Sequence, residues 1–120
     1  NVLSLSGGEF QKVRIARTLT QDAPFILLDE PCSALDISYE TELLFLLRKI
    51  AHEQNRCIIA SIHNINLGIR FADQLILLPP GTEAICGIPS KIVTEENLEK
   101  TYGTKLKVFS HPVYQCPQIL

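Results

Sequence analysis

The sequence of 120 residues contains no methionine, no tryptophan and no long apolar run. No apolar stretch approaches the roughly 18 residues of a membrane-spanning helix, and no basic segment followed by an apolar one marks a signal peptide. Because a natural start would supply a methionine, we expect Asn1 to be a cut end. The 46% hydrophobic content excludes a disordered chain, and the length fits one domain.

Concentrated positive charge is also lacking. The chain has eleven lysines and arginines and thirteen acidic residues, which gives a formal net charge of −2, and the basic residues are scattered along it. We therefore expect no nucleic-acid partner. The four cysteines are widely spaced and form no CxxC pair, which indicates a reducing, cytosolic compartment rather than disulfides or a metal site.

Helical periodicity and short apolar runs alternate along the chain. This alternation predicts an α/β fold with a largely parallel sheet flanked by helices. The apolar runs are typical of parallel strands that are buried on both faces. Predicted helices cover residues 9–19, 37–54, 64–71 and a short segment after Thr94; predicted strands cover 25–28, 57–62, 74–78, 82–86 and 105–110; the tail after Pro112 is predicted to be irregular.

The first candidate site is the string Leu5-Ser6-Gly7-Gly8-Glu9, which precedes the first helix and continues as x-Gln. Two glycines before a helix expose backbone N–H groups to an anionic phosphate, and the helix N-terminus adds partial positive charge. A glycine turn with a serine cap would explain the pair Gly-Gly alone, so the whole string carries the argument.

The second candidate site is Asp29 and Glu30, directly after the apolar run Phe25–Leu28. Ligands of open α/β sheets bind at the carboxyl ends of the strands. Asp29 there suits Mg²⁺, directly or through water, and Glu30 suits polarisation of a water for attack on phosphorus. Acidic surface residues at the end of a strand are the simpler alternative.

Two further candidates depend on position. Ser33 and Asp36 precede the second helix, where both are also adequate as helix caps. His63 follows the second apolar run, and the end of a parallel strand places it at the same sheet edge as Asp29 and Glu30.

In order and spacing, residues 3–78 resemble the ATPase subunit of ABC transporters. The resemblance implies a P-loop-NTPase-like fold with ATP and Mg²⁺ as cofactors. It implies that residues 5–9 are the signature motif, which contacts the γ-phosphate of ATP bound to a second subunit. Asp29 then lies on the Mg²⁺ shell, Glu30 is the catalytic base, residues 33–36 are the D-loop at the dimer interface, and His63 is the histidine that senses the γ-phosphate.

The sequence departs from the family pattern in two ways. Asn64 follows the histidine where the family usually has aspartate, a change that preserves helix capping. No segment matches G-x-x-x-x-G-K-[ST], the loop that holds the phosphates. We therefore expect an incomplete domain that lacks the upstream nucleotide-holding strands, that exposes an apolar sheet face or edge, and that does not hydrolyse ATP alone. Residues 1–78 would carry the motifs, and residues 79–120 a hairpin, a short helix and a tail.

The C-terminal third, with Gly87-Ile88-Pro89 and Thr101-Tyr102-Gly103, resembles the tails of importers of metal ions, iron chelates, haem or cobalamin. The implied partners are a second ATPase subunit, as a homodimer in the full-length protein, and a transmembrane permease. The implied location is cytoplasmic, on the inner face of the cell membrane. Two alternatives stay open: an ABC-type ATPase that acts on DNA, and a non-catalytic interaction fragment.

Overall fold

The computed structural model describes residues 6–120, so Leu5 of the first motif lies outside the described residues. The chain divides into two compact units, one ending at His63 and the other running over Asn64–Leu120. The division of the chain by motifs at residue 78 uses another criterion and stays a prediction.

The N-terminal unit alternates helices and strands. Its elements in chain order are α1 (Gly7–Leu19), β1 (Phe25–Leu28), α2 (Ile37–Glu53) and β2 (Cys57–Ala60). The two strands pair in parallel with Leu28 opposite Ala60, which confirms the predicted parallel pairing. The buried apolar side chains described in this unit are Ile15, Ile26, Leu44 and Leu47, together with Pro31.

Local side-chain contacts set the ends of these elements. Asp36 caps α2, because its carboxylate accepts a hydrogen bond from the Tyr39 N–H at 3.1 Å. Before β2, the Arg56 guanidinium donates to the carbonyl oxygens of Leu19 and Gln21 at 3.1 and 3.0 Å. These bonds satisfy carbonyls at the end of α1, and they fix the point where β2 begins beside β1.

Burial of this unit differs from the expectation in two places. Strand β1 is not buried on both faces, because Phe25 is 70% and Leu27 74% exposed while Ile26 between them is buried. Phe25 and Leu27 thus lie on a face of β1 that is exposed to solvent. In α2 the sequence periodicity predicts an apolar face of Leu43, Leu46, Leu47 and Ile50. The buried pair is instead Leu44 and Leu47, and Leu46 is exposed. The helix thus turns a slightly different stripe towards the strands than its periodicity indicated.

The C-terminal unit contains three helices and two hairpins. In chain order its elements are α3 (Ile65–Phe71), β3 (Leu75–Leu77), β4 (Ile85–Gly87), α4 (Pro89–Ile92), α5 (Glu95–Tyr102), β5 (Val108–Ser110) and β6 (Pro117–Ile119). Strand β3 pairs antiparallel with β4, as the sequence predicts. Gly103 ends α5 with a φ of 69°, the left-handed conformation expected there. The core comprises Ile69, Leu77, Ile92, Val93, Leu98 and Ile119.

The prediction of an irregular tail is wrong. Residues Pro117–Ile119 form β6, which pairs antiparallel with β5. The Asn66 side chain accepts from the Ile119 N–H at 2.8 Å and donates to the Ile119 carbonyl at 3.0 Å. Because this amide satisfies both backbone groups and Ile119 lies in the core, the tail is ordered by a contact more than fifty residues away in the chain.

The alternation of helices and strands confirms the α/β class. The parallel pairing of the predicted sheet is present as β1–β2, and the other two strand pairs are antiparallel. Within residues 6–120, no helix has both the length and the apolar character needed to cross a membrane.

Candidate functional site

The residues at the carboxyl ends of β1 and β2 lie together. The Glu30 carboxylate, which follows β1, contacts the Nε2 atom of His63, which follows β2, at 2.7 Å. Because an ionised carboxylate only accepts hydrogen bonds, the ring nitrogen that faces it carries the proton. Both side chains are open to solvent, with His63 82% and Glu30 46% exposed. The pair can therefore be reached by a ligand.

Asp29 is connected to the same cluster through a serine. The Ser61 hydroxyl donates to the Oδ1 atom of Asp29 at 2.8 Å and accepts from the Glu30 N–H at 2.7 Å. The Ser61 N–H also donates to the Leu28 carbonyl at 3.0 Å, so the ladder of the parallel pair extends one residue beyond β2. The Oδ2 atom of Asp29 has no partner among residues 6–120.

The backbone of Glu30 adopts a left-handed conformation, with a φ of 45°. Such a conformation is uncommon outside glycine and persists where surrounding contacts hold it. The Glu30 carbonyl accepts from the Ser33 N–H at 3.1 Å, and the Gln11 side-chain amide lies 3.4 Å from it. The same Gln11 amide donates to the Pro31 carbonyl at 3.2 Å. Helix α1 is thereby attached to the loop that carries Glu30.

The described part of the first motif forms a capping box at the start of α1. The Ser6 hydroxyl accepts from the Glu9 N–H at 3.3 Å, and the Glu9 carboxylate accepts from the Ser6 N–H at 2.8 Å. The Ser6 N–H, followed by its hydroxyl, lowers the pKa of Glu9 below its usual range. Glu9 is thus a negatively charged cap of α1.

The two glycines of the motif lie against the loop before α2. A Cβ on Gly8 would lie 3.1 Å from the Ala34 carbonyl oxygen, and a Cβ on Gly7 would lie 3.9 Å from the Ala34 Cβ. A side chain at Gly8 would therefore require the Ala34 backbone to shift by a few tenths of an ångström. The predicted D-loop residues Ser33 and Asp36 belong to the same loop, where Asp36 is engaged as the cap of α2.

The cluster offers oxygen atoms to Mg²⁺ but no cage for it. The described residues 6–120 contain no group of three or more His, Cys, Asp or Glu side chains that could hold a metal ion. Mg²⁺ usually binds one or two carboxylates together with substrate phosphates and water. The unpartnered Oδ2 atom of Asp29 fits that mode, in which a nucleotide supplies the remaining ligands.

Ser61 and Gln11 are the residues of this site that the sequence reasoning missed. Gln11 stands in the motif string, but its two carbonyl contacts follow only from the packing of α1. A signal for Ser61 does exist, because it stands two residues before His63 and side chains alternate along an extended segment. Ser61 and His63 therefore point to the same side, towards the residues that follow β1.

Comparison with known proteins gives consistent relatives. Residues 1–33 match the family model described as ABC transporter. The hemin import ATP-binding protein HmuV of Vibrio vulnificus is 36% identical over 121 residues, which cover 97% of this chain and 46% of that protein. The cobalamin import ATP-binding protein BtuD of Halobacterium salinarum is 35% identical over 112 residues, which cover 93% of this chain and 28% of the relative. The chain thus spans less than half the length of either relative.

Solved structures agree with these sequences. One solved structure is described as a metal-chelate type ABC transporter in an inward-facing conformation. The match covers 99% of this chain and 48% of the solved chain, with a TM-score of 0.84 and 30% identity. A second match is a dimeric bacterial ABC transporter cassette. It covers 63% of this chain and 32% of the solved chain, with a TM-score of 0.59 and 37% identity. These neighbours confirm the P-loop-NTPase-like fold class.

Proposed function

Because this chain belongs to the ABC transporter ATP-binding family, we propose that it is part of the ATP-binding subunit of an importer of a metal ion or metal chelate. The observation that carries the proposal is the contact between Glu30 and His63, with Asp29 beside them, at the ends of two parallel strands. Relatives that import hemin and cobalamin support the class of cargo.

The cluster has the groups that phosphoryl transfer to water needs. Mg²⁺ held by Asp29 would neutralise charge on the phosphates of ATP. Glu30 accepts a hydrogen bond from the attacking water, and its backbone contacts hold the carboxylate in place. The Nε2–H of His63 donates to that carboxylate in the structure and would leave it to donate to the γ-phosphate. Such a reaction depends on positioning and charge stabilisation more than on covalent catalysis.

The first motif would bind the ATP that is held by a second subunit. The N–H groups at the start of α1, with the Ser6 hydroxyl, form a donor set for the γ-phosphate of ATP held by that subunit. Gly7 and Gly8 allow close approach of the backbone, and Leu5 precedes them in the same motif. Glu9 acts by fixing the Ser6 hydroxyl through the capping box. Ser33 and Asp36 would lie at the interface between the subunits.

The whole protein would work beneath a membrane. We propose a homodimer of ATP-binding subunits on the cytoplasmic face, bound to transmembrane permease subunits and not to nucleic acid. A dimeric cassette among the structural neighbours supports the pairing of two such subunits. The isolated 120-residue chain would not hydrolyse ATP, because it has no phosphate-holding loop of its own.

ATP turnover tests the enzymatic part of the proposal. The purified chain is expected to give no turnover, whereas the longer protein that carries this segment with a phosphate loop hydrolyses ATP. In that protein Glu30→Gln should reduce kcat by about 10²-fold or more while ATP still binds. Glu42→Gln, an exposed change on α2, is the matched control and should keep full activity. Equal activity of the two variants would refute the role of Glu30.

Uptake tests the cargo. A strain without the gene for the longer protein should lose growth on a haem, cobalamin or iron-chelate source, and the wild-type gene should restore it. The Glu30→Gln gene should fail to restore growth. Unchanged growth on every metal source, together with salt-sensitive DNA binding by the purified protein, would instead favour an ABC-type ATPase that acts on DNA.

A further inference from the structure

Ser61 holds two residues of the candidate site through one hydroxyl group. Its oxygen accepts from the Glu30 N–H at 2.7 Å, and its hydrogen is donated to Asp29 Oδ1 at 2.8 Å. An N–H can only donate and a carboxylate can only accept. The bridge between them therefore requires a group that does both at once, and an aliphatic side chain at this position cannot replace it.

The bridge acts on the backbone as well as on a side chain. Glu30 has a φ of 45°, and its N–H is bound by Ser61 while its carbonyl is bound by the Ser33 N–H. Both polar groups of this left-handed residue are thus engaged. Because the backbone conformation directs the Glu30 side chain towards His63, losing the bond to the N–H would loosen the 2.7 Å contact between the two side chains.

The bond to Asp29 selects one of its two carboxylate oxygens. With Oδ1 bound to Ser61, the carboxylate plane is fixed and Oδ2 is left to face a ligand. Hydrogen bonds of this kind orient carboxylates that bind metal ions. The same serine thereby orients the candidate Mg²⁺ ligand and the candidate catalytic base.

We propose that Ser61 is a positioning residue for ATP hydrolysis, which fixes Asp29 and Glu30 relative to each other through its hydroxyl group. The proposal rests on the proposed function, because it assigns Ser61 a role in that same reaction. Ser61 is itself exposed, so it has space for one more methyl group. That space permits a test in which the hydroxyl alone is varied.

The matched pair Ser61→Thr and Ser61→Val separates the hydroxyl from the shape of the side chain. The two variants have nearly the same volume and β-branching, and only threonine retains the donor and acceptor. In the 120-residue chain, NMR of the Glu30 amide reports the bridge directly. We expect Ser61→Val to move this proton upfield and to speed its exchange with solvent, while Ser61→Thr leaves both close to wild type. Ser38→Ala, an exposed serine on α2, is the control and should change neither.

Turnover of the longer protein gives the second readout. Ser61→Val should lower kcat by about 10²-fold, with KM for ATP nearly unchanged, whereas Ser61→Thr stays close to wild type. A loss in Ser61→Val that is not rescued in Ser61→Thr would overturn the proposal, as would equal turnover of the two variants. Should Ser61→Val fail to fold, Ser61→Ala takes its place against Ser61→Thr.

The two readouts distinguish this inference from the proposed function. If the longer wild-type protein hydrolyses no ATP, the proposed function fails, and with it the role of Ser61 in the reaction. The Glu30 amide still decides whether the hydroxyl holds the two residues. If that amide changes in Ser61→Val while kcat does not, Ser61 is only structural and the proposal is overturned.

Discussion

At the scale of single residues, partners and burial decide which groups are reactive. Cys32 follows the buried Pro31, and burial, with a smaller contribution from the negative charge of Glu40, raises the pKa of its thiol to about 11. The thiolate is the nucleophilic form of cysteine. We therefore expect Cys32 to react more slowly with electrophiles than the exposed Cys57 and Cys86, although all three are free thiols.

Alkylation measures this difference. At pH 8 about one Cys32 thiol in a thousand is ionised, so iodoacetamide should modify Cys32 far more slowly than Cys57. Glu40→Gln should increase the rate at Cys32 modestly, because burial is the larger cause of the shift. Peptide mass spectrometry over a time course gives both rates. Labelling of Cys32 as fast as that of Cys57 would contradict the assignment.

The sequence also predicts much of the candidate site at this scale. Asp29, Glu30 and His63 could be placed at one sheet edge, because parallel strands end at the same edge and each residue follows an apolar run. The spacing of Ser61 from His63 could place it on the same side, but its hydrogen bonds and those of Gln11 could not be derived in this way. They depend on the left-handed backbone of Glu30, which nothing in a non-glycine sequence indicates.

At the scale of elements, local sequence signals predicted where helices begin. Elements that depend on contacts between distant parts of the chain were not predicted. Asp36, Asn64 and Thr94 marked where α2, α3 and α5 begin, and each of them caps its helix. Strand β6 was missed because its order depends on Asn66 and on a turn with Gln115 at a φ of 52°, which lacks the usual glycine. The short helix α4 (Pro89–Ile92) was missed as well, since one turn has no periodicity to detect.

Close packing between β4 and α4 gives a prediction for element stability. A Cβ on Gly87 would lie 2.7 Å from Ile92 Cγ2, and Ile92 is buried. Gly87→Ala should therefore lower the free energy of unfolding by about 1–3 kcal/mol, measured by urea denaturation. In an Ile92→Ala background, which lacks that methyl group, the same change should cost much less. An equal cost in both backgrounds would show that the contact is not responsible.

At the scale of the whole molecule, the parallel pair has an exposed apolar face. Phe25 and Leu27 on β1 share a face with Ile59 on β2, because the register places Leu27 opposite Ile59. The three side chains are 70, 74 and 47% exposed. A contiguous apolar face of this kind favours association. The apolar run alone could not show this, since it fits a strand covered on one face or on both.

Self-association is the expected result for the purified chain. Light scattering should show species larger than a monomer as the concentration rises, and the double change Phe25→Thr and Leu27→Thr should shift them towards monomer. Threonine keeps the preference for a strand while it removes apolar surface. The control is Val113→Thr, equally exposed at 74% but outside the sheet. A wild-type monomer at high concentration would contradict the expectation.

The alternation of side chains on β2 has a consequence for the lengths that this segment tolerates. Ser61 and His63 follow β2, stand two positions apart in the chain and both contact Glu30, and a strand reverses its faces when it shifts by one residue. Deleting or inserting one residue between Cys57 and Ser61 would turn Ile62 towards the carboxylates and carry both polar groups away. Homologous genes should therefore vary in length at the turn before β2 and keep a constant length from its first residue to His63.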